Sequence, residues 1–279
     1  MMNVAEFTAI GFAASMLAGF VGALTGLGGG VIVTPVLTLF LGVDIRYAIG
    51  ASLVSVIATS SGSAAAYVRD GYSNIRIGMF LEIATTLGAV FGAFLATRTP
   101  THALSIIFGL ILLQAAWQAS RQRRPHHNPL LADPLAEKLK LSGCYRTAEG
   151  EKCYQVHRVK TGFALMFGAG TVSGLLGIGS GSLKVIAMDQ AMQIPFKVST
   201  ATSNFMIGVT AAASATLYLS RGYVNPGIAM PVMLGVLSGS VVGARFLPRL
   251  PVLMLRRIFS ILVGIIALEM IFSGLKGRI

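Results

Sequence analysis

The chain is 279 residues long, 54% hydrophobic and 11% charged, with a formal net charge of +12 at pH 7. Soluble domains carry about 25% charged residues, so this balance and a mean hydropathy of +0.75 exclude an ordinary soluble domain and leave little mass for a soluble catalytic one. The positive charge is not a nucleic-acid footprint. Nine of the 22 Lys and Arg fall between Arg121 and Lys160, and most others flank apolar runs, the distribution expected of a cytoplasmic loop between membrane spans.

In chain order, the first predicted element is an apolar segment from about Val4 to Phe40, interrupted by Gly26-Leu27-Gly28-Gly29-Gly30. Glycine inside a helix costs roughly 1 kcal/mol against alanine, so the cluster reads as a deliberate break. The opening residues lack a basic stretch and a small-residue cleavage pattern, so no secretory signal is expected. A second segment follows at about Tyr47–Val68, then a turn around Asp70–Asn74, a third at Ile75–Ala96 and a fourth at Thr101–Ser120. Runs such as Ile77–Thr97 and Ile258–Leu275 are long enough to cross a bilayer as helices. The basic loop that follows shows short helical periodicity over Leu130–Leu141. Beyond it, Cys144–Val159 reads as a β-hairpin turning at Glu149-Gly150.

Beyond the loop the pattern recurs. A shift of 151 residues aligns the two parts without a gap from Gly11 to about Leu113. Gly19 meets Gly170, Asn74 meets Asn225, Gly88 and Gly92 meet Gly239 and Gly243, and the first break meets Gly177-Ile178-Gly179-Ser180-Gly181. The segments of this copy are Gly162–Met188, Val198–Leu219, Gly227–Phe246 and Val252–Phe272. The expected fold is therefore an all-α polytopic membrane protein of two repeats, each a glycine-broken first segment plus three transmembrane helices. Residues 1–120 form the first repeat, 121–160 a basic cytoplasmic central loop and 161–279 the second repeat. Only about twelve residues, Val31–Gly42, follow the first break, about 18 Å of helix, which suits half a membrane and favours inverted repeats. With the central loop cytoplasmic, inversion places Lys197, Arg249, Arg256 and Arg257 inside, which fits the charge rule slightly better than parallel repeats.

Interrupted hydrophobic segments in corresponding places of two repeats point to a transporter's binding site. Bare N–H groups at such breaks, together with the positive ends of the helices that follow, favour an anion. The bland alternative is that the glycines only allow helices to cross closely. The candidate substrate contacts are Thr25, Gly26, Gly28, Gly29, Gly30, Val31 and Ser52 in the first copy. In the second they are Gly177, Gly179, Ser180, Gly181, Ser182, Lys184, Ser203 and Asn204. Ser52, Ser203 and Asn204 are singled out for their matching depth, although Ser and Thr in membrane helices often bond backbone or a neighbouring helix instead.

Lys184 replaces an apolar Val33 of the first copy and marks either a substrate path or a charge partner, unless it snorkels to the interface. Glu82 is the other charge within a segment that is singled out, a candidate to carry a coupling proton or pair with a cation, with a surface-facing role as the alternative; Arg245 and Glu269 lie nearer segment ends and are expected at the interface. Cys144, Cys153, His157, His126 and His127 lack the short spacing of structural zinc sites, so no metal is expected. The two cysteines are expected to be free thiols in a reducing cytoplasm. No HExxH, GxSxG or Walker sequence is present, so neither an enzyme nor an ATP-driven pump is expected, and no cofactor.

Residues Gly22–Gly30 with Thr34-Pro35, the stretch Gly174–Gly181, and Lys197–Phe205 resemble the sulfite exporter TauE/SafE family of membrane permeases. The likeness covers both repeats and excludes the central loop; Ser180 and Ile186 stand where glycine and proline stand in the first copy. The resemblance implies a secondary transporter in the cell membrane for small sulfur-containing anions such as sulfite or organosulfonates. The expected mechanism is alternating access, with the anion held between the two breaks near the midplane. An uncoupled anion channel is the alternative, and a sensor or enzyme using the Cys/His loop a more distant one. The expected partners are a small anionic substrate and the lipid bilayer, with no nucleic acid; a homodimer is left open.

Overall fold

The computed structural model describes residues 3–25, 29–69, 73–120, 133–147, 150–246 and 252–277. The glycine clusters do interrupt the helices. The first apolar segment divides into α1 (Val4–Thr25) and α2 (Gly30–Leu39), followed by α3 (Ile45–Arg69), α4 (Ile75–Arg98) and α5 (Thr101–Ser120). The central region holds a short α6 (Pro134–Lys138) and strands β1 (Gly143–Thr147) and β2 (Gly150–Tyr154). The second part runs through α7 (Val159–Leu176), α8 (Gly181–Ile186) with a π-helical turn at Ala187–Ala191, α9 (Phe196–Ser220), α10 (Pro226–Phe246) and α11 (Val252–Leu275).

Local chemistry sets several of these boundaries. Asn74 caps α4, its side chain accepting from the Ile77 N–H, which satisfies one orphan donor of the first turn. Pro100 and Pro195 precede α5 and α9, where a residue that cannot continue a helix can still start one. Gly177 ends α7 in the left-handed region at φ +68°, the conformation that favours glycine at a helix C-terminus.

Helix α4 is apolar on its exposed side as well as its buried one. On α4, Leu81, Ala84, Thr85, Gly88, Ala89 and Gly92 face inward, while Met79, Ile83, Leu87 and Phe91 are exposed on the opposite side. A helix hydrophobic all round belongs in a large core or in lipid. Ile75–Arg98, Thr101–Gln118 and Val159–Leu176 are long and apolar enough to cross a membrane.

Packing is reciprocal between the two parts of the chain: α1 lies on α10, α4 on α7, α5 on α11, and α3 on α9. A Cβ added at Gly88 or Gly92 would fall on the backbone of Phe167 or Thr171 in α7, and one at Gly170 or Gly174 on the backbone of Thr85 or Ala89 in α4. The α1–α10 contact is built the same way, with Gly19 against the Val236 carbonyl and Gly239 against that of Met16. Small residues here let backbones touch, the usual basis of helix association in lipid.

The central region docks onto the helices. Ala136, Leu141 and Val156 share a core with Ile77 and Leu81 of α4, Met166 of α7, and Met188, Met192 and Ile194 beyond α8. Asn74 Nδ2 donates to the Leu141 carbonyl (3.0 Å) and to Tyr154 Oη (2.8 Å), while its backbone N–H donates to Thr202 Oγ1. Asp133 caps both α6 and α7, accepting from the Leu135 and Val159 N–H groups at 2.9 Å each. Those two backbone donors, Val159 first, hold its carboxyl below the ordinary aspartate value. The expected hairpin is present, with its turn at 148–149 outside the described residues. The expected free thiols are not: Cys144 and Cys153 sit directly opposite one another in the ladder and are joined by a disulfide. The expectation came from the charge of the loop. The strand register, which places both sulfurs on one face, decides otherwise.

Candidate functional site

Helices α3 and α9 cross near their middles, where a Cβ on Gly208 would lie 2.5 Å from Ser60 Oγ. The two breaks are held on this crossing. Ser52 Oγ, on α3, lies 3.1 Å from the Gly30 carbonyl and 3.0 Å from the Gly177 carbonyl. Its single proton serves one of the two at a time. Ser203 Oγ, on α9, donates to the Gly181 carbonyl at 3.2 Å. Ser52 and Ser203 are offset partners, as are Gly30 and Gly181, so each broken segment is pinned by the same bond. Ser52 in addition ties one break to the other.

Val56 and Ile207, a further offset pair, close the space around the breaks. A Cβ on Gly30 would meet Val56, and one on Gly179 would lie 2.8 Å from Ile207 and 3.2 Å from Val56. A Cβ on Gly181 would lie 2.7 Å from Ile207. The second break needs its conformation as well as its smallness: Gly177, Gly179 and Ser180 all have positive φ, which costs a serine energy that a glycine is spared. Neither α2 nor α8 has a side-chain cap at its N-terminus. In α2 the Ile32 and Val33 N–H groups both bond the Gly29 carbonyl.

The structure therefore brings Gly29, Gly30, Val31, Ser52, Gly177, Gly179, Ser180, Gly181 and Ser203 together, all of them buried. Ser182 and Asn204 are half-buried. Asn204 follows Ser203, about 100° around α9, off the face that holds Gly181. Gly26 and Gly28 lie outside the described residues, as does the side chain of Thr25. Ser180 Oγ is buried and has no hydrogen-bond partner among the described residues. An orphaned buried polar atom of this kind calls for an explanation.

One turn along α9 from Ile207 lies Thr210, whose hydroxyl joins Lys184 and Glu82. Lys184 Nζ donates to Thr210 Oγ1 (2.5 Å), which is 2.7 Å from Glu82 Oε1. Thr86 Oγ1 also donates to Glu82 Oε1, at 3.1 Å. Lys184 and Thr210 are fully buried and Glu82 is 8% exposed. Lys184 thus does not snorkel, and Glu82 does not face the surface. Cys144 and Cys153, being bonded to each other, are not free to ligate a metal. Sequence reading missed Thr210, Val56 and Ile207. The available signal was the offset itself: Thr210 is the partner of Thr59, and Ile207 of Val56.

Apolar helices, small-residue crossings and two facing helix interruptions with charges buried beside them define an all-α membrane protein built around an internal polar site. The model of the sulfite exporter TauE/SafE family matches residues 11–270, and the chain belongs to that family, a family of membrane permeases. It is 30% identical over 275 residues to a "probable membrane transporter protein", YunE, of Bacillus subtilis (strain 168), covering 93% of this chain and 96% of that one. It is 27% identical to a protein of the same description from Xylella fastidiosa (strain Temecula1), covering 92% of each. A third such protein, MJ0441 of Methanocaldococcus jannaschii, is 25% identical, covering 91% of this chain and 92% of its own. No solved structure matches the chain significantly.

Proposed function

We propose that this protein is a secondary transporter of small sulfur-containing anions, such as sulfite or organosulfonates, working by alternating access as a multi-pass protein of the cell membrane. The anion lies between the two helix breaks near the midplane. Amide hydrogens of Gly29–Val31 and Gly179–Leu183 are its main partners, with Thr25, Gly26 and Gly28 on the first side. Ser180, Ser182, Ser203, Asn204 and Lys184 help on the second. The two repeats, 1–120 and 161–279, are inverted, and rocking one against the other exposes the site to either side in turn. The observation that carries this reading is the meeting of the breaks: one hydroxyl, Ser52, reaches the carbonyls of both. Irregular backbone at membrane depth is tolerated only where protein buries it or a polar cavity borders it. The burial of Gly29 and Gly30 and of Gly177–Gly181 supports a carrier with its site closed rather than an open channel.

The test is uptake of labelled sulfite into proteoliposomes by the wild type and by Gly30→Val and Gly179→Val, each checked for unchanged elution in detergent. Saturable uptake that either substitution abolishes is expected. Undiminished flux in both variants refutes the site, and flux that never saturates refutes the carrier.

A further inference from the structure

The Lys184–Thr210–Glu82 chain does more than neutralise two charges. Thr210 accepts from the lysine and stands within hydrogen-bond distance of Glu82 Oε1, and Thr86 donates to that same oxygen. Glu82 Oε2, by contrast, is buried without a hydrogen-bond partner among the described residues. A carboxylate oxygen in that position costs free energy as long as it stays charged. It is also the one oxygen that can accept a proton without disturbing the bonds made by the other. Lys184 has three donor hydrogens, of which the structure commits one to Thr210. Its backbone N–H bonds the carbonyl of Ser180, so its helical turn begins at the second break, whose Ser180 hydroxyl is itself unpartnered.

We propose that Glu82 carries the coupling proton of an anion–proton symporter, and that its protonation is what frees Lys184 to balance the anion. This rests on the anion-site reading given above. With Glu82 ionised, the cluster is neutral and an anion beside it would add an uncompensated buried charge. A proton taken up on Oε2 from the side that admits the anion leaves Lys184⁺ as the partner, so one proton and one monoanion cross together and no net charge moves. No covalent bond is made or broken apart from the O–H bond. On α4, and on α7 and α9, which pack against it, the other charged groups lie at or near the helix ends. Lys160, in the first turn of α7, and Lys197, in the first turn of α9, are exposed. Arg76 on α4 is exposed, Tyr218 is two turns beyond Thr210, and Asp189 lies past Lys184 in the π-helical turn with an interaction of its own.

The experiment is uptake of labelled sulfite into proteoliposomes at one mildly acidic pH on both sides, where the probe is a monoanion, with an inside-positive potassium diffusion potential and leakage into empty liposomes subtracted. Wild-type accumulation is expected not to respond to the potential. The Glu82→Gln variant, which cannot deliver the proton, is expected to accumulate the anion about tenfold for every 59 mV. Wild-type accumulation that rises tenfold over that interval overturns the inference, and this arm needs no variant to fold. A folded Glu82→Gln that stays as insensitive as the wild type, or that transports nothing, overturns it as well. A wild type that takes up no sulfite defeats the anion-site reading itself, a result distinct from these.

Discussion

Replacing Lys184 with methionine removes one end of a buried pair and leaves the other. Lys184 Nζ and Glu82 Oε1 each sit one hydrogen bond from Thr210 Oγ1, at 2.5 and 2.7 Å, so the charges are separated by no more than about 5 Å. Over that distance, with an effective dielectric of about 20, their attraction is worth roughly 3 kcal/mol. Breaking one partner of a buried pair typically costs about 3–5 kcal/mol, because the stranded charge stays out of water. Lys184→Met should therefore be destabilised on that scale, and Glu82→Gln comparably. The double variant Lys184→Met/Glu82→Gln strands no charge and should recover roughly 2–3 kcal/mol of the summed loss. The measurement is a double-mutant cycle from chemical unfolding in detergent at neutral pH, followed by circular dichroism. If the two losses simply add, the residues do not sense each other and the link through Thr210 is an accident of proximity.

Two further outcomes follow from the packing. Gly92→Leu should cost at least about 1–3 kcal/mol and lower the yield of folded protein, because even its Cβ would fall on the Thr171 backbone; Gly168→Leu, with open space at that position, should unfold like wild type in the same assay. Asp133 is depressed from an ordinary value of 3.8, so its contribution to docking the central region is complete above that value and is lost as pH falls through the lower folded one. Limited proteolysis around β1 and β2 should accelerate below about pH 4 in wild type, and Asp133→Asn should remove most of that pH dependence.

Much of the architecture was legible because membranes make sequence speak plainly. The glycine breaks stood out since glycine is poor in a helix, and their repetition at a fixed offset gave both interruptions at once. Helix limits fell within a few residues of expectation, as at Thr101–Ser120, because proline and turn residues mark them. What did not show is who touches whom. Gly88 and Gly92 announce that α4 meets another backbone closely, but the small-residue pattern is the same whichever partner it has, and α7 was not readable as that partner. The disulfide was hidden for another reason: strand register decides whether Cys144 can reach Cys153, and composition carries no register. Thr210 was overlooked because a threonine in an apolar helix commonly bonds its own backbone, and here the Met206 carbonyl, 2.9 Å away, competes with Glu82 for its single proton. Only the arrival of Lys184 and Glu82 from two other helices gives it a second task.

The exchange of partners between the two parts of the chain has a consequence for how the protein is made. When α1 to α5 have left the ribosome, the close-packing surfaces of α1 and α4 still lack α10 and α7, which do not yet exist. The early helices must wait in the bilayer with their glycine-lined flanks against lipid or against an insertion factor, and the last-synthesised segments complete the earliest ones. A nascent chain stopped before α7 should accordingly remain protease-sensitive, however well each of its helices has inserted.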